Sequence, residues 1–302
     1  MEQLRRFATS GYLFALMDST DQILIPHQAK LLGPGKAISL FSGTAKEQYW
    51  QVAPYLFQVD PAVLDWMVAK IWKEPWGVFA ITKASFEDLR VHFKKFLLAQ
   101  LPDGKVWYFR YYDPRILKSY LPVCDPWELQ KFFGPVRAFA IAGGEQEKPT
   151  MVQGMNIPPA PRTSPPEATI WWKIRTEQQK EFDRVAEHGF VSRCVQFLKE
   201  KLPALVKPIQ SQDLRDRVQA AIARARGYGI KWQSTLLAFV ALEFEIGLGF
   251  DQHPLVRKFL TSTALDPNEK PQWIMKSLND ADWVDIRRFV ASQAKASGSF
   301  HV

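Results

Sequence analysis

The first pair of side chains that could do chemistry is His188 with Cys194, which follows it by six residues. A thiol beside an imidazole can act as an activated nucleophile. Gly189 interrupts the segment between the two, and the neighbours Val195 and Phe197 are typical of a buried, inert cysteine. We therefore predict no catalytic residue here, and the alternative is an enzyme, a hydrolase or transferase, with a site near His188 and Cys194.

Glu243 is the second candidate, because it lies with Glu245 in a strongly apolar stretch near the C-terminus. Two carboxylates could perform acid and base catalysis. Two positions apart on a helix, they point to different sides and cannot share a substrate. The sequence predicts instead an ion pair with an arginine such as Arg224 or Arg226, and a site at Glu243 belongs to the same enzyme alternative.

No cofactor or metal motif is evident in the sequence. Gly33-Pro34-Gly35-Lys36 lacks the earlier glycine and the following hydroxyl of a phosphate loop, since Lys30 and Ala37 stand there. The five histidines are widely spaced, and the two cysteines form no ligand motif with them. We predict no metal and no cofactor.

The composition is that of a folded, basic protein. Hydrophobic residues make up 47% and aromatic residues 13%, which is ample for real cores and for some rings on a partner surface. The net charge of +8 favours an acidic partner surface, whereas Asp213 and Asp216 dilute the basic stripe that nucleic acid would need. Unpaired cysteines and the lack of a long apolar span predict a cytoplasmic protein without membrane contact.

Short apolar strands alternate with amphipathic helices up to residue 142, which predicts an α/β, or mixed α+β, N-terminal lobe. Asp60 and Ser85 are the expected N-caps of two of its helices. Predicted strands cover residues 12–17, 37–41, 55–59, 77–81 and the aromatic segment 106–112.

Beyond this lobe the composition changes twice. Residues 143–168 contain six prolines and few periodic apolar residues, and they are predicted to form a linker. Residues 169–302 have helical periodicity, which predicts an all-helical C-terminal lobe. Its first helical stretch is expected to break near Gly189, and later helices are predicted over 211–226, 232–246, 254–260, 267–278 and 282–293.

The most distinctive stretch is the aromatic segment that ends at Asp113-Pro114-Arg115. Its aromatic residues recur on both faces of a strand, which predicts that the strand is buried on both sides. Asp113 is expected to cap a short helix, with Pro114 in its first position, and to pair with an arginine that fixes the turn.

Seven segments in this order resemble the N-terminal domain of the type VI secretion effector adaptors, also called effector chaperones. The resemblance covers roughly the first 140 residues. Three of the pieces are Trp76-Gly77-Val78-Phe79, Tyr108-Phe109-Arg110-Tyr111-Tyr112-Asp113-Pro114-Arg115 and Phe132-Phe133-Gly134-Pro135, and the specificity lies in the order of all seven. The other four cover residues 13–18, 40–44, 53–56 and 89–97.

The resemblance implies a non-catalytic adaptor that binds a cognate toxic effector and helps to load it onto the VgrG spike protein. The motif residues are candidates for partner binding, although we favour the simpler interpretation that they support the fold. These residues are Trp76, Arg110, Tyr112, Asp113, Arg115, Phe132 and Phe133. A hydrophobic effector segment would then lie on exposed aromatic side chains.

Overall fold

The computed structural model describes residues 1–141, 150–154 and 172–296. The chain forms two compact units, Met1–Val185 and Ala186–Val302, called here the α+β unit and the helical unit. The first contains strands and helices, whereas every described element of the second is a helix. The predicted fold class, a mixed α+β lobe followed by an all-helical lobe, is therefore confirmed.

The α+β unit is built from short elements that follow one another closely along the chain. They are α1 (Glu2–Thr9), β1 (Leu13–Asp18), α2 (Leu24–Leu32), β2 (Ala37–Ser39), α3 (Gly43–Gln48), β3 (Pro54–Gln58), α4 (Pro61–Lys70), β4 (Gly77–Ile81), α5 (Phe86–Lys94), β5 (Leu98–Gln100), β6 (Val106–Tyr108), α6 (Pro114–Tyr120), α7 (Pro126–Phe133), β7 (Ala138–Ile141), β8 (Thr150–Gln153) and β9 (Trp172–Lys173). The helix α8 (Thr176–Lys201) begins in this unit.

A six-stranded antiparallel sheet in the order β2-β3-β1-β4-β7-β8 forms the centre of the α+β unit. Alternate residues of its strands point to opposite faces. Phe14 and Leu16 of β1 enter one core with α5 and α7, and Leu13, Ala15 and Met17 enter another with α1, α2 and α4. Because both faces are covered, β1 is apolar without alternation, which made it recognisable in the sequence.

Local hydrogen bonds explain where several helices begin. The Asp60 carboxylate accepts from the N–H of Val63 at 2.9 Å, and the Ser85 hydroxyl accepts from the N–H of Asp88 at 3.1 Å. Both predicted caps are confirmed. Asp125 and Glu128 add a reciprocal capping box at the start of α7, which the sequence analysis missed.

Gly77 permits the tight junction between β4 and β1. Its φ is +151°, and a Cβ atom there would lie 2.0 Å from the carbonyl oxygen of Leu16. No other residue fits this approach without moving the backbone of β1.

A second sheet of three strands, in the order β6-β5-β9, lies within the same unit. Strand β5 pairs with β6 in antiparallel fashion and with β9 in parallel fashion. Trp172 of β9 is buried and stacks on Trp127, with ring centroids 6.1 Å apart and planes 12° from parallel. Strand β9 therefore belongs to the α+β unit, although it follows the proline-rich segment.

Two polar side chains hold the chain after β9 to this unit. The Arg175 guanidinium donates to the Glu128 carboxylate at 2.9 Å and to the carbonyl of Val123 at 2.6 Å. The Gln178 amide donates to the same carboxylate at 2.9 Å. Glu128 is buried, so its charge is compensated where water cannot reach it.

These contacts place the boundaries differently from the predicted domains 1–142, 143–168 and 169–302. Residues 150–153 form β8, which pairs with β7 inside the span predicted as linker. The α+β unit ends at Val185, because Trp172, Ile174 and Phe182 enter its core. The rest of the predicted linker, 143–149 and 155–168, lies outside the described residues.

The helical unit consists of helices around one aliphatic core. They are the second part of α8, α9 (Pro203–Val206), α10 (Ser211–Gly227), α11 (Gln233–Ile246), α12 (Pro254–Leu260), α13 (Lys270–Ser277) and α14 (Asp280–Ala296). The predicted break near Gly189 is wrong, since α8 continues through it. Phe190, Val191 and Cys194 bury one side of α8 beyond the glycine, and this packing compensates for its weak helix propensity.

Candidate partner-binding surface

The aromatic segment 106–115 is divided between two environments. Only Val106–Tyr108 forms a strand, with exposed fractions of 46%, 45% and 38% along its three residues. The prediction of an aromatic strand buried on both faces is therefore wrong. The physical reason is that β6 is the last strand of a small sheet, and the chain turns away directly after it, where the N–H of Asp113 bonds to the carbonyl of Arg110 at 3.0 Å.

The aromatic residues among 109–112 lie in the interior instead. Phe109, Tyr111 and Tyr112 are buried, and the Tyr111 hydroxyl donates to the carbonyl of Phe93 at 2.7 Å. The ring of Tyr111 meets that of Phe132 edge to face, with centroids 5.7 Å apart. This half of the segment therefore holds α5 and α7 against the sheet.

Four charged side chains fix the turn that follows. Asp113 accepts from the N–H of Arg115 at 2.9 Å and from its guanidinium at 2.7 Å, which confirms the predicted cap and arginine pair. Arg110 bonds to the buried carboxylate of Asp18, at the end of β1. Burial disfavours the charge of Arg110, but the bond to Asp18 outweighs it, so that the pKa of the guanidinium is raised.

The seven motif residues do not meet on one surface. Trp76 packs against Phe79 in the core on the opposite face of the large sheet from Phe132 and Phe133. Five of the seven are buried, namely Trp76, Tyr112, Asp113, Phe132 and Phe133. Arg110 and Arg115 keep 39% and 57% of their side chains exposed. The contacts described here give the motif a role in the fold, and its role in partner binding stays a prediction.

An apolar groove of about 640 Å³ lies beside this motif. Leu40, Phe41 and Leu97 line its base, and the ring of Phe41 meets that of Tyr108 edge to face at 5.3 Å. Lys94 and Lys95 are its charged residues, and Lys94 also bonds to the Ser42 hydroxyl. Its more exposed lining consists of Tyr49, Val52, Leu98 and Tyr108.

A smaller cavity of about 180 Å³ flanks the other face of β6. Trp107 points to this side together with Ala99, which is its partner across the strand pair. Ile174 and Phe182, from the chain after the proline-rich segment, complete the apolar lining. The short strand β6 therefore lies between two hollows, one on each face.

The outer edge of β6 offers unused backbone groups. The N–H of Phe109 bonds to Leu97 and the N–H of Leu101 bonds to Lys105, so Trp107 is the β6 residue whose backbone faces β5. The backbone groups of Val106 and Tyr108 point the opposite way. In the part of the chain that the structure describes, no strand pairs with this side of β6.

Tyr108 connects the groove with the charged turn. Its ring lines the groove, whereas its hydroxyl interacts with Tyr112 and lies near Asp18. Burial of the hydroxyl, followed by the neighbouring Tyr112 and Asp18, raises the pKa of Tyr108 far above its ordinary value of 10.0. The hydroxyl of Tyr108 therefore stays protonated and neutral.

Sequence reasoning missed the groove because its lining comes from separated parts of the chain. Tyr49 and Val52 follow α3, whereas Leu98 and Tyr108 lie on a hairpin some fifty residues later. One local signal was present. The turn Pro102-Asp103-Gly104 joins two short strands with apolar residues on both faces, directly after Lys94-Lys95, which is unusual for a solvated hairpin.

The candidates for catalysis are distributed differently. His188 is exposed and Cys194 is buried, and six positions on a helix separate residues by roughly 9 Å along the axis. Burial raises the pKa of Cys194 to about 11, which keeps the thiol protonated at neutral pH. Glu243 pairs with Arg224, as predicted, and Asp251 lies 3.6 Å from the same guanidinium.

The described residues contain neither a group of metal ligands nor a membrane-spanning helix. Among them, no three His, Cys, Asp or Glu side chains lie together in a way that could hold a metal ion. None of the helices they form combines the length and the apolar character needed to cross a membrane.

The α+β unit presents an apolar groove beside an edge of β6 to which no described strand pairs. Residues 13–131 match the model of a family described as a domain of unknown function, DUF4123. The match lies entirely within the α+β unit. No curated protein and no solved structure matches the chain.

Proposed function

We propose that this protein is a type VI secretion effector adaptor. It binds a cognate toxic effector in the bacterial cytoplasm and helps to load that effector onto the VgrG spike. It acts as a binding protein rather than an enzyme, and it needs neither a cofactor nor a metal.

The observation that carries the proposal is the match of residues 13–131 to the DUF4123 family, which is associated with type VI secretion effector adaptors. The seven segments that resemble such adaptors span the same region. The family match stops before the helical unit, so the proposal assigns effector binding to the α+β unit.

The surface of this unit supports a role in holding another protein. An exposed apolar groove costs solubility, and folded proteins usually keep such patches for a partner. The Lys94 and Lys95 side chains and the net charge of +8 favour a client with acidic residues. An adaptor that binds only the folded client would stabilise it by a free energy that grows with the logarithm of the adaptor concentration.

Co-expression with the effector encoded beside this gene tests the proposal. We expect the two proteins to copurify, and we expect the effector to accumulate less and to be secreted less when the adaptor is absent. Adding VgrG to the pull-down tests the loading step, for which a complex of all three proteins is expected.

Two controls make the result specific. An effector encoded beside a different spike gene should not copurify, and a Cys194→Ala variant should support secretion as well as the wild type does. Absence of a complex, together with unchanged effector levels in the deletion strain, would refute the proposal. Loss of secretion in the folded Cys194→Ala protein would instead favour the enzyme alternative.

A further inference from the structure

We propose that the outer edge of β6 binds its client by strand addition: an extended, apolar segment of the client, flanked by acidic residues, pairs with Val106 and Tyr108. This inference rests on the proposed function, since it names the binding mode by which the adaptor holds its effector.

The backbone carries the first part of the argument. The hydrogen-bond register of β5 and β6 leaves the N–H and C=O groups of Val106 and Tyr108 directed away from the sheet. Such groups form a template for a further strand, and proteins normally protect an exposed edge with charges, proline or a bulge. Strand β6 consists of Val106, Trp107 and Tyr108 and has none of these devices.

The apolar groove and the small cavity on the two faces of β6 carry the second part of the argument. Neighbouring residues of an added strand point to opposite faces of the sheet. One set would enter the apolar groove beside Leu98 and Tyr108, and the other would enter the small cavity beside Trp107. Backbone pairing supplies affinity in this mode of recognition, and such hollows supply sequence preference.

Charge identifies the flanks of the client segment. The described lining of the groove includes Lys94 and Lys95 and contains no acidic side chain. Lys95 is exposed, and Lys94 is held at the groove by its bond to Ser42. An apolar strand with a carboxylate at one end therefore complements this surface better than a neutral or basic strand.

Proline substitutions test the backbone pairing directly. Val106→Pro removes an N–H that bonds to nothing within the described chain, so the β5–β6 pairing is kept and the fold should persist. Gln153→Pro is the matched control, because its N–H also faces outward, on the edge strand β8. Val106→Ala controls for loss of the valine side chain.

The measurement is a titration of purified protein with the product of the neighbouring effector gene. We expect Val106→Pro to weaken binding by up to about tenfold, as expected for one lost hydrogen bond, and Gln153→Pro to leave it unchanged within about twofold. Circular dichroism and the melting temperature establish that each variant is folded. Hydrogen exchange should show that the amides of Val106 and Tyr108 become protected only when the effector is bound.

A charge reversal tests the flanks. The double variant Lys94→Glu/Lys95→Glu should bind more weakly and lose most of its salt dependence, whereas Lys70→Glu, on α4 at the other face of the large sheet, should not. If Lys94→Glu/Lys95→Glu and Lys70→Glu weaken binding equally, the proposal that acidic residues flank the client segment is wrong.

The outcomes separate this inference from the proposed function. If the wild type does not bind the effector, the proposed function fails. If the wild type binds and Val106→Pro binds equally well, only strand addition fails. If the free protein is a dimer that Val106→Pro dissociates without any effect on effector binding, the edge belongs to a second copy of this chain and the inference is overturned.

Discussion

Residues 106–108 and residues 109–112 are consecutive, similarly aromatic and differently placed. The first three lie on an open strand edge, and the next four lie in or beside the core, with Tyr111 fully buried. Hydrophobicity does not distinguish them. The difference arises from their neighbours, since within the described residues β6 pairs with a strand on one side only, whereas Phe109, Tyr111 and Tyr112 are covered by α5, α6 and α7. The comparison separates a half that supports the fold from a half that is exposed and that we propose as the binding edge.

The largest effect is expected from removing a ring of the buried half. Tyr111→Ala should lower the free energy of unfolding by about 3–5 kcal/mol, because it leaves a cavity and an unused acceptor at Phe93. Trp107→Ala should cost about 1.5 kcal/mol or less, since nearly half of that side chain is already in water. Urea unfolding of both variants measures the difference.

Tyr111→Phe serves as the control, since it keeps the ring and loses only the hydroxyl, at a cost of about 1 kcal/mol. Equal losses for the alanine variants of Tyr111 and Trp107 would break the comparison between the two halves.

A smaller effect on stability is expected at Asp113 and Arg115, in the turn between residues 109–112 and α6. Asp113→Ala removes the helix cap and the partner of Arg115, and it should cost about 2–3 kcal/mol. Arg115→Ala should cost less than about 1 kcal/mol, because the guanidinium is more than half exposed. Thermal unfolding compares the two variants, and a larger loss for Arg115→Ala would contradict this assignment.

The third effect concerns binding rather than stability. Trp107→Ala should weaken effector binding by about 1–2 kcal/mol, since exposed tryptophans at the centre of an interface contribute strongly. Surface plasmon resonance with the immobilised effector measures this loss, and Trp232→Ala, an exposed tryptophan of the helical unit, is the control. If Trp232→Ala weakens effector binding and Trp107→Ala does not, the binding surface lies outside the α+β unit.

The smallest expected effect is on the pH dependence of stability. Burial lowers the pKa of His92 below its ordinary value of 6.5, while its ring nitrogen bonds to the carbonyl of Phe132 at 2.8 Å. The unfolded chain therefore binds a proton first as the pH falls. The stabilising contribution is complete above pH 6.5 and is lost as the pH falls from there through the lowered pKa of the folded state.

The unfolding free energies of the wild type and of His92→Gln, measured at pH 7.5 and pH 5.5, check this effect. The wild type should lose up to about 1 kcal/mol more than the variant over that interval. The other histidines are common to both proteins, so their contributions cancel. Parallel pH profiles would show that His92 does not titrate differently in the folded state.

The parts of the fold that were predictable from sequence are those with local causes. Strand β1 is an uninterrupted apolar run, and α4 begins at an Asp-Pro pair that caps it. Strand β9 was not predictable, because it is short and pairs with β5 across the proline-rich span. Strand β8 pairs with the preceding strand β7, but it is short and lies in a segment whose composition predicted a linker. Likewise, the continuation of α8 through Gly189 was not predictable, because it depends on Phe190 and Val191 packing into the core of the helical unit.

The candidate surface shows the same limit. Asp113, Pro114 and Arg115 were assigned correctly as a capped turn, because cap, proline and arginine act within three residues. The exposure of Trp107 depends on β6 pairing only with β5 among the described strands, and no local pattern encodes that pairing. The groove depends on Tyr49 and Tyr108 lining one hollow, although they lie far apart in the sequence.

The contacts of Trp172, Arg175 and Gln178 hold the chain after β9 to the α+β unit, and they determine what happens when the chain is cut before them. A protease site engineered between residues 155 and 171 would not release two domains, because residues 172–185 complete the core of the α+β unit. The nicked protein should run as two bands in denaturing gels and elute as one species under native conditions. For the same reason, a fragment of residues 1–142 would be an incomplete domain. It should reassemble with a separately expressed fragment of residues 143–302.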